Sequence, residues 1–394
     1  MAGSGGFSAP RLARLSDALR GHVERGTLAG AVALLWRRGE VHVEAVGVQD
    51  LATGTPMRRD TIFRIASLTK PIAAVAAMIL VEEAKLRLDD PVDPWLPELR
   101  DRRVLRSLDS PLEDTVPAAR PITLRDLLTF RAGLGAVMEP PGTFPIQRAL
   151  AEAGLAPGPN PLALPPDEMM RRLGALPLMH QPGERWLYHT AYDILGVLIA
   201  RVAGQPLEDF LAERIFAPLG MTDTAFAVPE AQRHRLAGCY QAAADGTLIA
   251  SAEARDAVRP SGSTGLFSTA GDILAFGRMM LGFGRLGEQR ILARPTIELM
   301  TTDQNTPEQK AVSPFFPGFW DRSGWGFGVS MITRRDSIGA TPGRYGWVGG
   351  LGTAWSNDPR EEMVAILMVQ RLWDPVVTAI HEDFWTLAYQ ALAD

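Results

Sequence analysis

Cysteine is nearly absent: Cys239 is the only one in 394 residues. That excludes an intrachain disulfide and any Cys-based zinc or iron–sulfur site. Lysine is almost as scarce, since of 40 basic residues only Lys70, Lys85 and Lys310 are lysines and the rest are arginine. No basic block occurs and the formal net charge is −5, so nothing marks a nucleic-acid or anionic membrane partner. Long hydrophobic runs are also missing: the stretch 72–81 has the size of a core helix, and the opening MAGSGGFSAPRLARL has no apolar signal region. A soluble cytoplasmic chain is expected. The six histidines show no HExxH or similar close pairing, so no metal and no cofactor is expected. What is present is 46% hydrophobic and 22% charged residues, enough for one large core or two modest ones.

Periodicity organises this material. Residues 11–25 carry apolar positions at helical spacing, and AVALLWRR from Ala31 and EVHVEAVGV from Glu40 read as a hairpin around Gly39. Residues 67–83 predict a helix apolar on most faces, hence central. After Asp89 the texture turns Pro-rich, with a short helix TLRDLLTF, a Pro/Gly segment over 135–166, and helices at 190–202, 207–216 and 268–281, the last capped by Ser268 or Thr269. Strands return as WGFGVSMI from Trp325, GTAWSND from Gly352 and MVAILMVQ from Met363, before a C-terminal helix over 375–392. The pattern predicts an α/β (α+β) domain built from 1–88 and 265–394, interrupted by a mostly helical insertion at 89–264.

Two motif matches are set aside. Gly282-Phe-Gly-Arg-Leu-Gly287 fits GxGxxG but follows a helix rather than a strand, and so reads as a surface turn. Ser261-Gly-Ser263-Thr-Gly265 resembles a nucleophile elbow, yet its first glycine is a serine, which disfavours an α/β-hydrolase.

Ser67-Leu-Thr-Lys70 remains. With 15 serines and three lysines, chance supplies about 0.1 such Ser-x-x-Lys matches. Residues i and i+3 share a helix face, so the lysine amine reaches the serine hydroxyl. Pro71 restricts Ser67 to the first turn, where its N–H is free to act as half of an oxyanion hole. Arginine could not replace the lysine, because a guanidinium does not deprotonate whereas a desolvated amine does. A capped core helix with a snorkelling lysine is the bland alternative.

These residues, together with LRDLLTFRAGLG from Leu124, PGERWLYHTAYDILGVLIARVAGQPLEDFLAERIFAPLGMTDT from Pro182, STGLFSTAGDILAFGRMML from Ser263 and YGWVGGLGTAW from Tyr345, resemble the class C β-lactamase-like serine hydrolases. That family includes penicillin-binding proteins and family VIII carboxylesterases. The resemblance spans nearly the whole chain and implies an antiparallel sheet flanked by helices with a helical inserted domain. It implies Tyr188 as the base and acid partner of Lys70 and the Gly350 N–H as the second oxyanion donor beside that of Ser67. Thr190 stands where β-lactamases have an amide-binding asparagine, and Trp347-Val-Gly349 stands where they have Lys-Thr-Gly, so Thr190, Trp347 and Gly349 are implied as substrate-binding. An indole at 347 removes the cation that an anionic substrate would need. Arg344 is close in sequence, but three residues along a strand faces the other way.

The expected activity is that of a serine carboxylesterase on a neutral, short-chain small-molecule ester. A β-lactamase or DD-peptidase, an amide hydrolase, an acyltransferase using the same nucleophile, and a catalytically silent binding protein are the alternatives. Oligomeric state is not readable. Several C-terminal tryptophans are expected to wall the pocket, and Trp373 and Trp385 to fill the core. The loops at 135–166 and 303–321 are expected to shape the site.

Overall fold

In a computed structural model of the chain, which describes residues 5–252 and 258–394, the β-favouring runs near the two ends of the sequence meet in one antiparallel sheet. Its strands are β1 (Gly30–Arg37), β2 (Glu40–Asp50), β3 (Thr55–Pro56), β4 (Ser323–Trp325), β5 (Ser330–Ile332), β6 (Tyr345–Val348), β7 (Ala354–Asp358) and β8 (Met363–Met368). They lie in the order β4-β5-β6-β7-β8-β1-β2-β3, and the register Val32 to Met368 stitches the C-terminal strands onto the N-terminal ones. The hairpin expected around Gly39 is present: Arg37 faces Glu40, and Arg38 and Gly39 take φ of 47° and 91°, the paired left-handed conformation whose twist suits a two-residue β-turn.

Both faces of β1 are apolar because both are covered. Ala31, Ala33 and Leu35 pack under the N-terminal helix Ala9–Glu24 and the C-terminal helix Pro375–Gln390. Val32 and Leu34 point the opposite way, into a larger core that contains the helix Thr69–Glu82. Every residue of that helix from Thr69 to Leu80 is buried, as its all-round apolar sequence requires. It packs against the helix Thr190–Ala203, and the helix Ala270–Leu281, capped by the Thr269 hydroxyl, packs on β7 and β8.

Two expectations are corrected. The single strand expected over 325–332 is instead the end of β4, a tight turn in which Gly326 N–H donates to the Val329 carbonyl, and β5. Glycine permits it: Gly328 has φ of 77° and its Cα lies against the Lys70 carbonyl, where an added Cβ would approach to 3.0 Å. Trp373 is not core but 39% exposed, with its ring edge against His381. The 135–166 segment also contains a helix, Pro145–Glu152. Among the described residues no helix is long and apolar enough to cross a membrane, and no group of three or more His, Cys, Asp or Glu side chains is placed to hold a metal ion.

Candidate active site

The site begins where a short ribbon ends. Phe63–Arg64 pairs with Phe267–Ser268, and Ile65 N–H donates to the Leu266 carbonyl, so the chain reaching Ser67 is tied to the segment 263–268. Ala66 then takes φ of 45°, a left-handed conformation costly for alanine, and the backbone turns through a short 3-10 turn, Ala66–Leu68, into the central helix. Ser67 sits in that turn, one step ahead of the α-helix rather than inside it. The consequence is the one anticipated: its N–H has no hydrogen-bond partner among the described residues.

Lys70 is fully buried, and its Nζ donates to Ser67 Oγ at 2.9 Å and to the Ser263 carbonyl at 2.7 Å. Burial pushes the amine down to about 7, against the opposing pull of the Asp193 carboxylate. Burial thus favours the free base of Lys70, in contact with the serine hydroxyl.

Tyr188 precedes the helix Thr190–Ala203, and its backbone is fixed by Ala136 N–H donating to its carbonyl at 2.8 Å. The Lys70 Nζ lies 4.6 Å from the centre of the Tyr188 ring. The phenolic oxygen accepts from Trp347 Nε1–H at 2.6 Å. Burial raises the phenol above its ordinary range, while hydrogen bonds with Ser67 and Trp347 oppose the rise. Burial thus favours the neutral form of both groups, the free amine and the protonated phenol.

Strand alternation explains the indole. Tyr345 and Trp347 on β6 point into the core that holds the central helix, and Val348 packs on the opposite side. Arg344 follows Val348's side, its guanidinium 4.5 Å from the Trp385 ring centre, so it does not replace a cation at the site. Trp347 is consequently a hydrogen-bond donor to Tyr188. Phe130, Phe315 and Trp186 lie 5.0, 5.2 and 5.6 Å from the Tyr188 ring, and Trp325 lies 4.6 Å from Trp347. Phe315 comes from the 303–321 segment.

Beyond β6 the backbone passes close to the nucleophile turn. A Cβ on Gly349 would meet Thr353 Oγ1 at 2.3 Å and the Ile65 carbonyl at 2.5 Å. Thr353 Oγ1 donates to that same carbonyl. Gly349 therefore serves close approach. Gly350 borders open space, is partly exposed like Ser67 and Tyr188, and its N–H has no partner among the described residues. Thr190, by contrast, is buried at the first helical position with no hydrogen bond to Ser67, Lys70 or Tyr188.

Sequence reasoning missed a polar cluster behind Lys70. Asp193 Oδ1 accepts from Ser261 Oγ at 2.7 Å and from Ser263 Oγ at 2.5 Å, and His189 Nε2 lies 3.3 Å from Ser263 Oγ and 3.6 Å from Asp193 Oδ2. All four are buried, and His189 has φ of 86° and ψ of −75°, a strained γ-turn conformation. A Ser, a His and an Asp do meet here, but the serine and the same histidine nitrogen both face the carboxylate, which is not a relay geometry. Burial, then the Lys70 charge, keep His189 well below its ordinary range, and it is neutral. The available signal was an aspartate one turn into an otherwise apolar helix.

An eight-stranded antiparallel sheet, a buried helix carrying Ser-x-x-Lys at its entrance, and a tyrosine over the lysine define a serine hydrolase of the β-lactamase superfamily. The Beta-lactamase family matches residues 15–388, and the chain belongs to it. It is 32% identical to Esterase EstB of Burkholderia gladioli over 389 residues, covering 92% of this chain and 91% of that one. It is 38% identical to Protein Rv1367c of Mycobacterium tuberculosis, covering 90% and 89%. Among solved structures it is similar to EstCE1, a hydrolase with promiscuous acyltransferase activity, with a TM-score of 0.78, 25% identity and 98% of both chains covered. The fold also matches simvastatin synthase (LovD) from Aspergillus terreus, at a TM-score of 0.81 and 23% identity over 97% and 98% of the two chains.

Proposed function

We propose that the protein is a carboxylesterase that hydrolyses neutral, short-chain acyl esters through an acyl-enzyme on Ser67. The observation that carries this reading is the 2.9 Å contact between Ser67 Oγ and a lysine whose amine burial holds near neutrality. The similarity to Esterase EstB supports it.

Ser67 Oγ attacks the ester carbonyl carbon as its proton passes to Lys70 Nζ. The carbonyl oxygen becomes an oxyanion facing the Ser67 and Gly350 N–H groups, each contributing about 3 kcal/mol. The C–O bond to the alcohol then breaks. The leaving oxygen takes its proton from Tyr188, which is recharged from Lys70, and the Trp347 indole N–H steadies the phenol oxygen as its proton departs. Water repeats the cycle on the acyl-enzyme, releasing the acid and restoring Ser67. The two groups titrate as a pair, so macroscopic pH dependence belongs to both.

A substrate bearing a carboxylate, as β-lactams and peptidoglycan stems do, finds at position 347 an indole, with Arg344 turned onto Trp385. This favours neutral esters over β-lactam or DD-peptidase chemistry. Acyl transfer to an alcohol in place of water is the second reading, favoured by the similarity to EstCE1. The proposed partner is accordingly a small-molecule ester alone. The test is hydrolysis of a short-chain p-nitrophenyl ester and a chromogenic cephalosporin by wild type and Ser67→Ala. Ester turnover lost in the variant, with little cephalosporin turnover, is expected. Efficient Ser67-dependent cephalosporin turnover would make the enzyme a β-lactamase instead, and ester turnover undiminished in Ser67→Ala would remove Ser67 from the mechanism.

A further inference from the structure

The mechanism above uses Lys70 but leaves unexplained what stands behind it. Lys70 Nζ makes two hydrogen bonds, one forward to Ser67 Oγ and one backward to the Ser263 carbonyl. Ser263 is itself held from three directions: its N–H donates to Ser261 Oγ at 3.0 Å, its hydroxyl donates to Asp193 Oδ1, and His189 Nε2 lies against that hydroxyl. Ser261 completes the arrangement by donating to the same carboxylate oxygen. Asp193 is 4% exposed on a helix whose neighbouring positions are apolar, and burying a carboxylate there costs several kcal/mol unless it is paired and hydrogen-bonded. The groups that satisfy it here converge, through Ser263, on Lys70.

We propose that Asp193 is a positioning residue of the Ser67–Lys70 pair, its buried carboxylate fixing Ser263 so that the Ser263 carbonyl and a negative charge face the lysine from behind. The proposal rests on the reading of Lys70 as the proton acceptor of Ser67. Two effects follow from the one carboxylate. The hydrogen bonds to Ser261 and Ser263 hold the carbonyl that aims Nζ at Ser67, and the charge keeps the desolvated amine from losing its proton affinity altogether. A lysine buried with no counter-charge would be neutral far below neutral pH and too weak a base to take a serine proton.

The groups that face Lys70 are few. Ser67 lies on its own helical entrance, Tyr188 below Nζ, His189 and Asp193 at the start of the tyrosine-bearing helix, and the Ser263 carbonyl across from them. Of these only Asp193 can bring a negative charge: burial raises its carboxyl above the ordinary range, opposed by the hydrogen bonds with Ser263 and Ser261 and by Lys70. A cavity of about 590 Å³ bordered by Met169, Val197 and Leu207 reaches Asp193 and Ser261, and Ser67, Lys70 and Tyr188 are not among its described walls.

The scarcity of lysine makes the test direct. Protein labelled with carbon-13 at the lysine side-chain ε-carbon should give three ε-CH2 signals, from Lys70, Lys85 and Lys310. Lys85→Arg and Lys310→Arg assign the other two, leaving Lys70, and its titration can be followed by NMR without any turnover. In Asp193→Asn, which keeps the shape and an acceptor oxygen, the Lys70 titration should move to lower pH by about one unit, the size that an opposite charge at short range exerts. The acid limb of kcat/KM for a p-nitrophenyl ester should move with it. A merely structural aspartate would lower stability or kcat at every pH and leave both titrations in place, and that result would overturn the proposal. If Asp193→Asn does not fold, Ser261→Ala removes one donor to the carboxylate and none to Lys70. It also removes the acceptor of the Ser263 N–H, so it loosens the hold on the Ser263 carbonyl and should displace the lysine titration, and an unmoved signal there counts equally against the proposal. Should Ser67→Ala retain full esterase activity, the reading of the site fails by itself, while the lysine titration still decides the role of Asp193.

Discussion

Trp347→Phe separates the two things the indole does. The indole is 8% exposed, packs 4.6 Å from Trp325, and donates at 2.6 Å to the Tyr188 oxygen. Phenylalanine keeps most of the packing and loses the donor. A hydrogen bond to a neutral acceptor contributes about 1 kcal/mol and one to a charged acceptor about 1.5–3 kcal/mol. Only the difference between them, about 1–2 kcal/mol, acts on the step in which Tyr188 gives up its proton, because binding common to ground and transition state does not raise kcat. The expected loss is therefore about 5- to 30-fold in kcat, with KM for a p-nitrophenyl ester changed little. Trp325→Phe is the matched control. It also trims an indole from this cluster, but its Nε1 has no hydrogen-bond partner among the described residues, and its ring stands 6.3 Å from that of Tyr188. Its kcat should stay within about threefold of wild type, which is about 0.6 kcal/mol. Equal losses in the two variants, or a Trp347→Phe enzyme with wild-type kcat, would refute the assignment of the indole N–H to the phenol.

The remaining expectations are shorter. Burial holds Lys70 at about 7 rather than 10.5, and the reaction needs its unprotonated form, so kcat/KM should fall tenfold per pH unit below about 7 and level off above it. A profile still rising between pH 8 and 10 would show that the lysine is not depressed. Gly349→Ala drives a Cβ to within 2.5 Å of both Thr353 Oγ1 and the Ile65 carbonyl, which overpacks the contact between β6 and the nucleophile turn at a cost of about 1–3 kcal/mol. A lowered Tm and at least tenfold lower kcat are expected. Gly350→Ala, whose Cβ meets open space and whose N–H is retained, should keep the Tm, and reversal of that order would contradict the placement of the two glycines.

How much of this was legible in the sequence depends on the range of the contacts involved. The Ser67–Lys70 contact is local, three residues apart at a helix entrance, so residue type and spacing pointed to it, beside the bland reading of a capped core helix. The hairpin at Gly39 and the all-apolar central helix are legible for the same reason. Tyr188, Trp347 and Gly350 came from family resemblance, because no local pattern links positions more than a hundred residues apart. The Asp193 cluster was not found at all: Ser261 and Ser263 were weighed as an elbow and discarded, and their partner lies about seventy residues earlier on another helix. Residues 325–332 alternate like one strand, yet the need for Gly328 to clear the Lys70 carbonyl is a tertiary fact that periodicity does not carry. Trp373 was expected inside on hydrophobicity, whereas its place just ahead of the C-terminal helix leaves one face to solvent.

The central claim is that acyl transfer passes through Ser67 Oγ. Rapid quenching of the enzyme during turnover of a p-nitrophenyl ester, followed by intact-protein mass spectrometry and peptide mapping, tests it most directly. The account predicts a single acyl increment, located on Ser67 and absent from Ser67→Ala. An acyl group mapped to another residue, or the same adduct formed by the alanine variant, would contradict it.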